Sequence, residues 1–216
     1  RRAHYLCEQA AEHVTRGELE EAARLLQQAT DIAPAAPRPA IESATLQLRN
    51  GEAGRAFDTL VALSETAPLA LPLYASLLQQ AGAAAQRSGE ALALLQRRYA
   101  ASPSIDVVEA IVALGGTTLA DADAGDGAGP ATCPRDSYIA HLQHQPSLAA
   151  ASRWLAGERF EREALHPPVQ RALDQAVRPL MRYRCAACGF EAHQYFWHCP
   201  GCQAWDSYPP RRVEEL

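Results

Sequence analysis

The chain has 216 residues and no lysine; all twenty of its basic residues are arginine. We read this as a mark of genome composition and give it no functional weight. No phosphate-binding G-x-x-x-x-G-K-[ST] loop is present, and H-E-x-x-H and G-x-S-x-G are missing too. The run Gly115-Gly116-Thr117-Thr118 follows a helical pattern, not a strand. Aromatic residues are scarce, at 6%. No stretch reaches eighteen consecutive apolar residues, so no membrane-spanning helix is expected here, and no signal peptide opens the sequence. The chain starts at Arg1-Arg2 without a methionine and runs straight into helical pattern. A fragment of a longer protein is therefore expected, with any upstream anchor or repeat out of view.

Alanine and leucine carry the apolar content of 48%, which favours helices. The formal charge is −5. From Arg178 to Leu216, five arginines stand against Glu191, Asp206, Glu214 and Glu215. That balance lacks the basic stripe of a nucleic-acid-binding module, so no nucleic-acid partner is expected.

An internal repeat organises the first half. Gly17 and Gly51, Ala22 and Ala56, Leu26 and Leu60, and Pro34 and Pro68 are each 34 residues apart. This is the period of the tetratricopeptide repeat, with glycine at the inter-helix turn, small alanines where helices approach closely, and proline ending the second helix. Leu6, Ala40 and Tyr74 keep the same step, whereas Ala91, Leu95 and Pro103 come one residue late. The extra residue is expected in the turn around Gln86 to Gly89. A hairpin of this kind cannot bury its own apolar face, so the copies are expected to stack.

The expected division is a solenoid over 1–181, with repeats at about 3–36, 37–70 and 71–104, a divergent one at 105–146 and a final hairpin at 147–181. A metal-binding module over 182–216 follows. Ile105 to Leu114 is expected as a helix, and the acidic, glycine-rich Asp121 to Pro130 as a flexible loop rather than a calcium site on Asp121, Asp123 and Asp126. Helices are expected over Pro134–Gln145, Leu148–Leu155 and Pro167–Met181, with Ser147 as N-cap, Gly157 as stop and Pro179 loosening the last turn. His141 and His144, one turn apart, read as part of a polar face. From their phase in the repeat, His4, Arg38, Ile41 and Thr45 are candidate groove residues for a protein partner.

Six cysteines are present. Cys7 and Cys133 are isolated, which suits a reducing compartment. The other four form two C-x-x-C pairs, Cys185/Cys188 and Cys199/Cys202, within YRCAACGFEAHQYFWHCPGCQAW. Each pair sits on a tight turn favoured by Gly189, Pro200 and Gly201. A hairpin that joins the two turns closes a tetrahedral S4 site. Zinc and iron both accept that ligand set, with zinc the first expectation. Metal binding of roughly 10–16 kcal/mol would supply most of the folding energy of so small a module. Tyr183, Phe190, Tyr195, Phe196, Trp197 and Trp205 crowd the site as a miniature core, and Trp197 and Trp205 are also candidate partner contacts. His193 and His198 are not expected as ligands. A closed four-cysteine site leaves no open position for water, so no enzyme activity and no catalytic residue is expected. Little room for a linker separates Met181 from Cys185, so the module is expected to pack on the last hairpin.

Tetratricopeptide hairpins followed by YRCxxCGF…WHCPxCxxW resemble the lipopolysaccharide assembly protein B family of Gram-negative bacteria. The resemblance implies a mainly α fold: a tetratricopeptide-repeat α-solenoid with a small C-terminal rubredoxin-like, zinc-ribbon β module. Its four metal ligands fall on Cys185, Cys188, Cys199 and Cys202. True rubredoxin spaces its pairs more widely and usually has glycine after the last cysteine, where this chain has Gln203. That departure bears against the rival reading as an iron electron-transfer protein. The resemblance also implies a non-enzymatic adaptor on the cytoplasmic side of the inner membrane, held there by an N-terminal helix absent from this chain. Its partners would be the FtsH protease, the deacetylase LpxC whose degradation it promotes, and other lipopolysaccharide-synthesis proteins. Self-association into a homodimer is left open.

Overall fold

A computed structural model describes residues 1–116, 133–159 and 163–216. The expected loop at Asp121–Pro130 and the aspartates within it lie outside the described residues, as do Thr117 and Thr118. The chain divides into two compact units, Arg1–Ala91 and Leu92–Leu216. Among the described residues, no single helix is long and apolar enough to cross a membrane.

The first unit holds α1 (Arg2–Thr15), α2 (Leu19–Ile32), α3 (Pro37–Arg49), α4 (Ala53–Thr66) and α5 (Leu71–Ala84). It also contains the start of α6 (Ser88–Ala101). Each helix pair turns by the same device. Glu18 N–H donates to His13 O, Glu52 N–H to Gln47 O and Arg87 N–H to Gly82 O. The residue before each donor is left-handed: Gly17 and Gly51 at φ 79°, and Gln86 at φ 59°. This is the Schellman stop, in which a residue with positive φ lets the chain satisfy the last helical carbonyls.

The late step in the third repeat has a different origin from the one expected. The turns 50–52 and 85–87 are equally long, while α3 has 13 residues and α5 has 14. The turn geometry is fixed by its hydrogen bonds, so the additional residue is taken up as helix. Pro34 and Pro68 act as expected. The residues before them, Ala33 and Ala67, leave helical geometry at φ −141° and −137°, as the clash with a following proline ring requires.

Small side chains set the spacing. Ala22, Ala56 and Ala91 are fully buried, as are Leu60 and Leu95, and Leu26 is nearly so. On α1, Ala3, Cys7 and Ala10 form one apolar stripe against Ala22, Leu25, Leu26 and Ala29 of α2, with Leu46 of α3. Burial pushes the Cys7 thiol up to about 12, and nearby Glu42 adds to the rise. Cys7 is thus a small core residue.

The second unit holds the rest of α6, then α7 (Ile105–Ala113), α8 (Asp136–His144), α9 (Leu148–Leu155) and α10 (His166–Leu180). A two-stranded antiparallel ribbon follows, β1 (Tyr183–Arg184) with β2 (Glu191–Ala192). The helices lie within two residues of their expected bounds. Gly115, at φ 74°, stops α7, with Gly116 N–H donating to Ile111 O. Ser147 caps α9 by accepting from Ala150 N–H at 3.0 Å. At the other end of α9, Arg135 donates to Trp154 O and Gly157 O at 2.6 and 2.9 Å. α9 and α10 are tied by Ser152 Oγ to Asp174 and by Gln170 to Ser152. His144 is exposed, but His141 is not on a polar face. It is fully buried with Nδ1 2.9 Å from the Tyr99 hydroxyl, and desolvation lowers its pKa although Glu214 opposes the shift.

Two glycines test the packing. A Cβ at Gly82 would stand 2.6 Å from the Ala91 Cβ and 3.3 Å from the Phe57 ring, whereas one at Gly54 would meet nothing within 4 Å. Helix propensity alone favours alanine at both. Gly54→Ala should raise the melting temperature slightly. Gly82→Ala should lower it by several degrees, because overpacking of about 1–3 kcal/mol outweighs that gain. Thermal denaturation of the two variants checks the pair.

Candidate metal centre

The site is built from two matching turns. In the first, Gly189 N–H donates to Cys185 O at 2.8 Å and Cys185 N–H to Phe190 O at 2.9 Å. In the second, Gln203 N–H donates to Cys199 O at 2.8 Å and Cys199 N–H to Ala204 O at 2.9 Å. Gly189 has φ 77° and Gln203 φ 59°, so the glutamine adopts the left-handed conformation that glycine takes in the first turn. Its carbonyl accepts from His198 Nε2 at 2.9 Å, and the His198 ring stacks on Trp205 at 4.3 Å. The His198 ring is thus held by Gln203 and Trp205.

The four sulfurs lie within 4.8 Å of one another, with Cys185–Cys202 at 3.8 Å and Cys188–Cys199 at 3.7 Å. A metal–sulfur bond of about 2.3 Å gives a tetrahedron with edges of about 3.8 Å. Two of the six sulfur pairs stand at that edge length, the others lie within 4.8 Å, and the two are far beyond the roughly 2.05 Å of a disulfide. The residues fit one tetrahedral metal ion, and Cys185, Cys188, Cys199 and Cys202 would hold it.

Hydrogen-bond donors favour charge on the inner sulfurs. Ser207 Oγ is 3.2 Å from Cys185 Sγ, and the Tyr208 hydroxyl is 3.7 Å from Cys199 Sγ. Burial disfavours the Cys185 thiolate. The Ser207 hydroxyl and the N–H groups of Cys188 and Ala187 outweigh it and draw the thiol down to about 6. Cys199 is desolvated too, yet the N–H groups of Cys202 and Gly201 and the Tyr208 hydroxyl lower it. Cys188 goes the other way. The Phe190 N–H favours its thiolate, but desolvation and the neighbouring sulfurs push it up to about 12. Four negative charges do not share this volume unaided, and a bound metal cation would supply the compensation.

The aromatic residues form the expected small core. Tyr195 lies edge-on to Tyr183, Trp197 and Tyr208 at 5.4, 4.8 and 5.9 Å, and its hydroxyl donates to Tyr208 O at 2.9 Å. Trp197 and Trp205 are half-buried, while Phe190 is exposed.

The groove residues of the first unit fare differently. His4 and Arg38 are only 6% and 5% exposed. Arg38 on α3 pairs with Glu8 of α1 at 2.7 Å and with Glu42 at 2.6 Å, and both Arg38 and His4 are held in the packing of the unit. Ile41 is half-buried. Thr45 is exposed, and it lines a groove of about 330 Å³ with Ala10, Ala11, Val14, Glu42 and Arg49. Ala10, Ala11 and Val14 line this groove without having been singled out from the sequence. Their helical i, i+1, i+4 spacing on α1 is the available signal.

Residues 211–216 carry an interaction that sequence reasoning missed altogether. Arg212 pairs with both oxygens of Asp106 at 2.8 and 2.9 Å, donates to Met181 O at 2.9 Å and lies 4.2 Å over the Tyr183 ring. Val213 N–H donates to Arg182 O at 2.8 Å. This segment holds the ribbon against α7 and α10.

The fold and site together define a class: a helical-hairpin repeat protein with a C-terminal rubredoxin-like metal-binding domain. Residues 183–210 match the family described as the rubredoxin metal-binding domain. The chain is similar to lipopolysaccharide assembly protein B of Escherichia coli K12, at 28% identity over 97% of this chain and 53% of that protein. A shorter match to the Haemophilus influenzae protein of the same name has 30% identity over 22% of this chain and 12% of that one. The chain thus spans about half the length of the Escherichia coli relative, and the resemblance carried by the repeats and the ribbon is shown.

Metal affinity should fall as pH falls, because protons compete for the thiolates. Cys188 is still protonated at neutral pH in the metal-free site, so binding releases its proton. Below about pH 6 the Cys185 thiolate takes up a proton as well, and the loss should steepen. Chelator competition across this range measures the slope; an affinity independent of pH would contradict an all-thiolate site.

Proposed function

We propose that this chain is part of a non-enzymatic adaptor that regulates lipopolysaccharide assembly through protein–protein contacts. The carrying observation is the closed set of four sulfurs in the second unit, in a chain whose first unit is built of helical hairpins that leave an apolar groove open. All four metal positions are filled by protein sulfur, which suits a structural ion. The name of the relatives supports the pathway.

The finer reading follows from the resemblance. The full-length protein would sit on the cytoplasmic side of the inner membrane through an N-terminal helix. It would bring LpxC to the FtsH protease and so promote degradation of the deacetylase. The groove lined by Ala11, Val14 and Thr45 would seat an apolar segment of one of these proteins, with Glu42 and Arg49 at its rim. Zinc is the proposed ion. Visible absorption of the purified protein separates the two candidates, since ferric S4 is coloured and zinc is not.

Ala11 and Thr45 are exposed, so the groove can be filled without disturbing the core. In the full-length protein, Ala11→Trp with Thr45→Trp should cut recovery of FtsH or LpxC by about tenfold or more, as loss of a central contact does, and LpxC should accumulate in cells. Full recovery by a folded double variant would overturn the groove assignment. Failure of the wild-type protein to recover either partner would overturn the adaptor reading.

A further inference from the structure

We propose that metal occupancy of the thiolate site is coupled to helices α7 and α9 through the C-terminal segment 209–216, which straps the ribbon to the N-termini of both helices. The inference goes beyond the adaptor reading and does not depend on it.

The far end of the strap fills two helix N-termini. Glu215 accepts from Ile105 N–H at 2.6 Å and from Ser104 Oγ at 3.4 Å. Ser104, the N-cap residue of α7, makes no side-chain cap of its own, so Glu215 supplies that bond. Glu214 accepts from Ala149 N–H and Ser147 Oγ, both at 3.0 Å, and from Leu148 N–H. Two adjacent carboxylates thus satisfy the first-turn N–H groups of two helices and oppose the positive ends of their dipoles. Arg211 adds a bond to Ser102 Oγ at 2.6 Å.

The near end is fixed to the metal site. Tyr208, immediately before the strap, puts its hydroxyl on Cys199 Sγ, and Ser207 accepts from Ala186 N–H at 2.7 Å through its backbone oxygen. Arg212 lies on Tyr183, two residues before Cys185. Between these anchors come Pro209 and Pro210, whose fixed φ leaves little slack. The strap therefore leaves the ribbon at one ligand turn and returns to it beside the other.

The ribbon has two strands of two residues and no apolar core apart from the rings around Tyr195. Without the ion, its sulfurs no longer hold the two turns together. Tyr183 and Tyr208 cease to be fixed points, and Glu214 and Glu215 lose the constraint that keeps them on the helix ends. By linkage the reverse holds: releasing the glutamates must weaken the metal by the factor by which the metal protects the helices.

Hydrogen exchange on the metal-loaded and the chelated protein reads this directly. Removing the metal should speed exchange at the amides of Ile105, Leu148 and Ala149 by about tenfold, within the usual range for coupled sites. The α7 interior at 109–111 should keep its protection. In Glu214→Ala/Glu215→Ala, which removes the acceptors, the three amides should exchange fast with metal bound, chelation should add little, and metal affinity by chelator competition should fall by a similar factor. Three results would each overturn the coupling. In one, chelation deprotects 183–208 and leaves the three amides unchanged. In another, protection is lost evenly across 92–216. In the third, the double variant binds metal with wild-type affinity.

Discussion

Four cysteine sulfurs 3.7–4.8 Å apart in a segment too small for its own core are the constraint on which the C-terminal part of the structure depends. Thiolate charge at that spacing is repulsive, and the two-stranded ribbon has little apolar burial to set against it. A cation resolves both problems, because it neutralises the sulfurs and crosslinks the two turns. The rest of the ribbon follows from that requirement. Left-handed residues after each cysteine pair aim the thiolates inward, aromatic rings pack around Tyr195, and hydroxyls stand beside the inner sulfurs.

The helical hairpins meet a different constraint with one repeated solution. Each must turn sharply and then present a face flat enough for the next helix. The Schellman stop does the first and buried alanine the second. Gln86 shows that the turn, not the glycine, is the invariant: its backbone reaches φ 59° and the Arg87-to-Gly82 bond still forms. Adding a residue to α5 leaves the turn intact and rotates the helix phase instead. That is why the third repeat keeps its stop and its buried Tyr74 while its second helix runs late.

Much of this was legible because it rests on local rules. The 34-residue step, prolines after helix ends, the Ser147 cap and paired C-x-x-C turns each depend on residues close in sequence. What was not legible depends on partners far apart. Arg38 reads as a surface cation until Glu8, thirty residues earlier, is placed beside it. His141 reads as half of a polar pair until Tyr99, forty-two residues away, reaches it. The tail is the extreme case. Arg212 and Asp106 are 106 residues apart, and nothing in RRVEEL distinguishes a structural strap from a solvated acidic end. The short distance from Met181 to Cys185 correctly suggested close packing, but it did not identify the residues that enforce it.

The thiolate site is asymmetric. Cys185 and Cys199 are buried and have hydroxyl donors from Ser207 and Tyr208, whereas Cys188 and Cys202 face solvent. Donors to thiolate sulfur stabilise negative charge, and their placement tunes a metal site as much as its ligands do. Here they lie on the side from which the chain continues into the strap, so the sulfurs best prepared to hold charge are those tied to the rest of the unit. Gln203 strengthens the point. Where the first turn has glycine it carries a side chain at the same left-handed φ, while its carbonyl holds His198 against Trp205. Here each turn offers one exposed sulfur to solvent and one buried sulfur to the chain that leads on to helices α7 and α9.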